Sequence, residues 1–344
     1  MRSIQLVAPR TLEAKLLPDP PDPGPGEVLV RLLAVGICGS DLHWYLDGRI
    51  GHTAAGFPQV LGHEPVAEVI CIGPGVTSHK EGDRVVIEPT ISCGHCEYCL
   101  AGAHNLCING IVMGGPRLHG CFLEYAVVPA HNATHVPHSM STHRATLIEP
   151  VAVMAHMLDL MRIRVGDTVA ITGAGPIGML CAAIARGCGA SRVFICDRVQ
   201  HRLNRALKMG AHVASNTHAS FVEAIMDDTR GRGADVVLEA AGTAETINTA
   251  LRVARPTGMV VLIGLSSQLE IPVDIHLAMA KELRLQTLKR SNHCAEKAIR
   301  LLETGIIPDE IITHCMPLAQ TPKAFDMAVT CEDGAGKIVI EIGG

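Results

Sequence analysis

The sequence predicts a two-domain α/β protein, with a β-rich N-terminal domain followed by a doubly wound parallel-sheet domain. Two changes of pattern carry this reading. Up to about residue 130, short β-rich runs are punctuated by Gly and Pro, as in a small barrel-like domain. From about residue 150, apolar strand patterns alternate with helical ones, which implies a parallel sheet covered on both faces. Near residue 288 the alternation stops.

The elements follow in order. PDPPDPGPGE at 18–27 is a stiff loop, since proline and glycine there oppose helix and central strand. EVLVRLLAVGI reads as a strand, followed by PVAEVICIG at 65–73, DRVVIEP at 83–89 and LEYAVVP at 123–129. In the second half TVAITGAG, RVFICD, DVVLEAAG and MVVLIG are buried strand candidates, with helices such as PIGMLCAAIARGCG between them. AEKAIRLLETG then has a helical period, and KIVIEIGG closes the chain as a strand.

Composition limits the function classes. Of 344 residues, 48% are apolar and 18% charged, so a sizeable core forms and disorder is not expected. Aromatics are only 3%, which leaves the core to aliphatics and alanine. A net charge of −5 argues against a general nucleic-acid or anionic-membrane binder. No signal-peptide pattern is read at the N-terminus, and no apolar run approaches the roughly 20 residues that span a bilayer. The expectation is a cytoplasmic protein, in a compartment where stable disulfides are rare.

That expectation bears on the thirteen cysteines. Cys93, Cys96, Cys99 and Cys107 follow C-x2-C-x2-C-x7-C, a spacing for tetrahedral thiolate ligation of zinc. Four sulfurs would fill the coordination shell, so this zinc is structural. An iron–sulfur cluster or a loop of free thiols are the competing readings. Cys181 and Cys188, in apolar helical sequence, read as packing residues.

A second motif, Gly173-x-Gly175-x-x-Gly178, lies between a strand and a helix. The first glycine permits the turn, the second lets backbone approach a pyrophosphate, and the third lets helix and strand pack closely. The helix N-terminus then offers free N–H groups to phosphate. RVFICD ends in Asp197, nineteen residues beyond Gly178, where a carboxylate would accept bonds from ribose hydroxyls and repel a 2′-phosphate. NAD is therefore expected over NADP, although Arg198, next in sequence, could receive a phosphate. Pro176, Ile177 and Arg202 complete the candidate cofactor-binding set.

A third constellation comprises Cys38, Ser40, Asp41 and His43 in GICGSDLH, His63 and Glu64 in LGHE, and Glu149 in LIEP. One thiolate, one imidazole and a carboxylate can hold zinc with a position left open. Such an ion acidifies a bound alcohol, which eases hydride departure to a nicotinamide.

With GICGSDLH, LGHEP, GDRV, CGHCEYCLAGAHNLC, LIEP and GAGPIG in that order, the chain resembles the zinc-dependent medium-chain alcohol dehydrogenases over its whole length. GRIG at 48–51 and LIEPVAV at 147–153 are most similar to the polyol branch, which includes sorbitol and xylitol dehydrogenases. GCFLEY at 120–125 is also similar to threonine dehydrogenases, and butanediol dehydrogenases share the layout. The resemblance implies a GroES-like catalytic domain at 1–150 with a zinc lobe at 89–110, a Rossmann domain at 151–287, and a return to the first domain at 288–344. It implies two zinc ions per subunit and NAD. Cys38 and His63 would ligate the catalytic zinc, with Glu64, Glu149 or water completing the shell. Asp41 would orient His63, Ser40 would bond the reacting hydroxyl, and His43 would serve as proton exit. Trp44, Tyr45 and Arg290 would line the substrate pocket. A homo-oligomer, a tetramer, acting on a small-molecule alcohol is the implied assembly, with no nucleic-acid or membrane partner. A non-catalytic NAD(H)-binding sensor on the same fold is the reading from a different class. Two features depart from the pattern. The four-cysteine lobe is absent from some polyol dehydrogenases, and Cys315 in ITHCMPL stands where many relatives have arginine.

Overall fold

The computed structural model describes residues 1–343. By its internal contacts the chain divides into two units. The first takes Met1–Val153, Arg290–Arg300 and the stretch from Ile312, and the second takes Met154–Lys289 and Leu301–Ile311.

In the first unit, strand Glu27–Gly36 alternates buried and half-buried residues. Val28, Val30, Leu32 and Ala34 are fully buried. A period of two puts those four on one face of the strand. The strand is central to a seven-stranded sheet. Glu64–Ile72 pairs antiparallel along its length, bringing Gly36 opposite Glu64. Tyr125–Pro129 pairs antiparallel with its first half, and Lys337–Glu341 with its last residues. Arg84–Ile87 and Ala133–His135 extend the sheet on one side, and Ile312–Pro317 on the other. A smaller sheet joins Thr11–Leu16, Arg2–Ala8 and Gln59–Val60. The core between them is aliphatic, with Phe122 and Phe325 in edge contact at 5.8 Å between ring centres.

In the second unit, six parallel strands lie in the order Val213–Ser215, Arg192–Cys196, Thr168–Thr172, Ala234–Glu239, Ala254–Leu262, Arg284–Thr287. In chain order this is 3-2-1-4-5-6. The direction of winding reverses beside Thr168–Thr172, and ligands of such sheets bind at the carboxyl ends of the strands there. All five residues of Thr168–Thr172 are buried, as a strand covered on both faces requires.

The segment Leu301–Ile311 groups with the second unit, although it lies inside the 288–344 stretch assigned to the first. Its apolar side chains explain this. Ile307 is fully buried, and the Ile306 side chain sits so close to Gly187 that a methyl group on that glycine would touch it at 2.8 Å.

Candidate active site

Two strand ends and one helix start bring the predicted zinc donors together. Strand Glu27–Gly36 leads through Cys38 into the helix Gly39–Asp47. Asp41, at the third position of that helix, turns back and accepts the Cys38 N–H at 3.0 Å. Its other oxygen accepts the Gly62 N–H at 3.0 Å and stands 3.4 Å from His63 Nδ1. One fully buried carboxylate therefore fixes the Cys38 turn, the 62–64 turn and the imidazole plane. With Nδ1 facing Asp41, Nε2 is the nitrogen left to meet a metal. Burial disfavours a charged ring, but the Asp41 carboxylate and the Cys38 sulfur outweigh it and hold the His63 pKa well above its usual value. Asp41 is depressed in turn, since His63 and the two amides overcome its burial.

Cys38, His63 and Glu64 place a sulfur, a nitrogen and a carboxylate oxygen within 4.8 Å of one another. Ser40 Oγ lies 3.3 Å from His63 Nε2. Glu149, in the first turn of Ile148–Leu160, is near enough that Glu64 and Glu88 repel its charge and His63 attracts it. Burial is the larger influence and pushes Glu149 up to about 7.

Sequence reasoning missed Lys337. Its side chain is 2% exposed, and its ammonium bonds one oxygen of the buried Glu64 carboxylate and the Ile37 carbonyl at 3.0 Å. The pair fits only because Gly36 has no side chain: a Cβ there would touch both the Glu64 carboxylate and the Lys337 stem. A lysine opening an apolar, buried strand, KIVIE, was the available signal. Glu88 was also missed. It accepts the Ser291 hydroxyl at 2.8 Å and feels the charge of Arg290.

These residues fit a zinc ion. Glu64 Oε1 is buried without a hydrogen-bond partner, the kind of orphaned atom that a cation satisfies. Lys337 bonds only the other oxygen of that carboxylate, so Oε1 is left to meet a cation.

Other predicted residues take different places. His43 Nδ1 lies 3.4 Å from Asp47 Oδ2 on the same helix. Trp44 and Tyr45 belong to the core cluster, at 8% and 5% exposed. For Tyr45 the structure corrects the expectation of a pocket residue. Its ring packs edge-on against Phe325 at 5.3 Å and its hydroxyl donates to Asp326 at 2.8 Å, so both ends are committed to the helix Thr321–Thr330. Arg290, with φ of 53°, has an exposed surface and is close enough to Glu149 and Glu88 for both carboxyl groups to attract its charge.

The four-cysteine lobe is well formed. Cys96 and Cys99 sulfurs lie 3.5 Å apart, Cys96 and Cys107 3.8 Å, and Cys93 and Cys99 4.0 Å. Zinc–sulfur bonds of ~2.3 Å in a tetrahedron put sulfurs about 3.8 Å apart. Amides serve the sulfurs as well: the N–H groups of His95 and Cys96 hold the Cys93 thiol below its usual pKa, and those of Cys99 and Ile108 do so for Cys96. None of the thirteen cysteines forms a disulfide.

In the second unit, Gly175 caps the helix Pro176–Gly187, with Pro176 at its first position and no side chain bonding the helix N–H groups. A Cβ on Gly175 would meet nothing within 4 Å, so the backbone is open to a ligand. A Cβ on Gly178 would strike the Gly173 carbonyl. Ile177 lies between these two glycines in the first helical turn. Asp197 accepts the Ala174 N–H at 2.7 Å and the Val199 N–H at 2.9 Å, so it braces the glycine loop. A carboxylate has about four acceptor sites, which leaves capacity for ribose hydroxyls. Arg202 stands 3.9 Å from Asp197, and its Nε is buried without a partner.

Comparison with known proteins agrees with this geometry. Residues 24–138 match the alcohol dehydrogenase GroES-like domain, and residues 176–304 match the zinc-binding dehydrogenase family. The chain is 35% identical to the sorbitol dehydrogenase of Bacillus subtilis over 333 residues, covering 96% of this chain and 94% of that one. It is 38% identical to the L-threonine 3-dehydrogenase of Pyrococcus furiosus over 302 residues, covering 86% of each. The alcohol dehydrogenase rspB of Escherichia coli CFT073, solved with NADH, superposes with a TM-score of 0.90 at 30% identity over 99% of both chains. The chain belongs to the zinc-dependent alcohol dehydrogenase family and is an oxidoreductase that uses a nicotinamide dinucleotide. Within that family its relatives place it in the polyol branch. No helix among the described residues is long and apolar enough to cross a membrane.

Proposed function

We propose that the protein oxidises a secondary alcohol within a polyol to the ketone, with NAD as hydride acceptor and two zinc ions per subunit. One observation carries the reading: Cys38, His63 and Glu64 bring a sulfur, a nitrogen and a carboxylate oxygen within 4.8 Å of one another, and Glu64 Oε1 is buried without a partner. Cys38 and His63 would hold the catalytic zinc, with Glu64, Glu149 or water completing the shell. When bound, that ion supplies a Lewis acid which makes an alcohol proton easier to remove.

The chain's own groups do the rest. Asp41 holds His63 in one orientation and tautomer. Ser40, 3.3 Å from the imidazole, is placed to accept the substrate proton and pass it on, with His43 as exit. Lys337 keeps one Glu64 oxygen engaged so that the other keeps its direction. Cys93, Cys96, Cys99 and Cys107 hold the structural zinc. Gly173, Gly175, Pro176, Ile177 and Gly178 seat the pyrophosphate, Asp197 takes the adenosine ribose, and Arg202 supports Asp197. Trp44 and Arg290 remain the substrate-lining candidates.

A cytoplasmic tetramer completes the proposal. Thirteen cysteines with no disulfide among them suit a reducing compartment. Leu269, Val273, Ile275, Met279 and Leu285 are exposed in the second unit, as subunit contacts would require.

The threonine dehydrogenase likeness supports oxidation of an amino alcohol as the second reading. A panel of sorbitol, xylitol, 2,3-butanediol and threonine, each with NAD and NADP, separates the two. The expected result is turnover of sorbitol or xylitol with NAD. Turnover of threonine alone would replace the polyol by an amino alcohol. NAD binding without turnover on any alcohol would make the protein a sensor.

A further inference from the structure

Cys315 takes no part in either zinc site or in the glycine loop, yet it is not isolated. It lies on the strand Ile312–Pro317, which runs parallel to Lys337–Glu341 with Cys315 opposite Val339 and Pro317 opposite Glu341. Residues two apart share a face. Cys315 and Glu341 therefore project to the same side, while Met316, next to Cys315 on its strand, is buried on the other. His143, on the short helix Thr142–Ala145, reaches that side too: its Nε2 is 2.8 Å from Glu341 Oε1. The Cys315 sulfur, a His143 ring nitrogen and a Glu341 carboxylate oxygen all lie within 4.8 Å of one another.

We infer that His143, Cys315 and Glu341 form a third metal site, for an exchangeable borderline-soft divalent cation such as zinc. The donor set argues for this class. Thiolate and imidazole together select zinc-like metals, whereas calcium and magnesium prefer oxygen throughout. Three protein donors leave the fourth tetrahedral position to water, and the solvent exposure of all three side chains lets the ion enter and leave. The three residues come from three separate stretches of the chain, with the two strand residues held in register by the sheet. The donors are thus positioned by backbone pairing and not by a flexible loop. The competing arrangement is a His143–Glu341 ion pair with a bystander thiol. The Cys38 and Cys93–Cys107 sites contain none of these residues, so the inference stands apart from the proposed reaction.

Two measurements on the full-length protein test it. Elemental analysis after equilibrium dialysis against free zinc should find one more zinc per chain in the wild type than in Cys315→Ser. Alkylation of Cys315, followed by mass spectrometry of the peptide, should slow when zinc is added. His143→Gln should abolish that protection by weakening zinc binding on the order of tenfold or more, since even residues that only orient ligands contribute that much. Cys315 is exposed, so its replacement by serine leaves the core intact. Equal zinc counts in wild type and Cys315→Ser, or alkylation at one rate with and without zinc, would overturn the assignment and leave the ion pair alone.

Discussion

At the scale of single residues, the most consequential pair is Lys337 and Glu64, both withdrawn from solvent. Two buried charges in contact add little net stability, but removing one leaves the other uncompensated, at about 3–5 kcal/mol. Lys337→Met is therefore expected to lower unfolding free energy by about that amount in denaturant titration of the apoprotein, and Lys337→Met combined with Glu64→Leu to recover much of it. An unchanged midpoint in the single variant would show that Glu64 is held by something else. Asp235 gives a prediction about pH. Arg232, the Thr168 amide and Arg255 together outweigh its burial and hold its carboxyl near about 2, below the usual 3.8. A carboxyl with a depressed folded-state pKa stabilises the fold fully above its unfolded value and loses that contribution as pH falls through the folded one. The loss should thus fall between pH 3.8 and about 2. Allowing for solvent screening, roughly 1–2 kcal/mol is at stake. Comparing acid unfolding of wild type and Asp235→Asn checks this, and the gap between them should close as the pH drops across that window. A gap independent of pH would mean the carboxylate charge contributes nothing.

At the scale of elements, the glycine loop depends on close packing between Gly178 and the Gly173 carbonyl. Gly178→Ala should push the helix Pro176–Gly187 off its strand, reduce stability by about 1–3 kcal/mol and weaken NAD binding in a fluorescence titration. Unimpaired binding would mean that the helix start is not where the pyrophosphate sits. The strands of this unit were legible because each is a short apolar run beside a turn. Thr168–Thr172, Arg192–Cys196 and Ala234–Glu239 all fall where the sequence pattern put them. Arg284–Thr287 was not legible. It is mostly exposed and has no apolar run, and its identity as a strand comes from pairing with Ala254–Leu262. The hairpin of Arg2–Ala8 and Thr11–Leu16 was hidden for the same reason, since its second strand is largely exposed. The cysteine lobe was legible, because four ligands within fifteen residues are a local pattern.

At the scale of the whole molecule, the candidate catalytic centre was legible in its donors and not in its supports. Cys38 and His63 stand in short motifs, each readable where it lies. The Lys337–Glu64 pair joins residues 273 apart, and no local pattern carries that information. Tyr45 was misread for a related reason: its position beside Trp44 suggested a pocket, while its partners Phe325 and Asp326 lie 280 and 281 residues further on. The account as a whole turns on a metal ion held by the Cys38 thiolate and the His63 imidazole. Zinc content and alcohol oxidation measured together on Cys38→Ser, under metal-free dialysis that strips exchangeable ions, test this most directly. The wild type is expected to retain the structural and catalytic zinc and to oxidise a polyol with NAD. The variant should keep its fold and the structural zinc while losing the catalytic ion and the activity. A variant that retains both ions and full turnover would contradict the account.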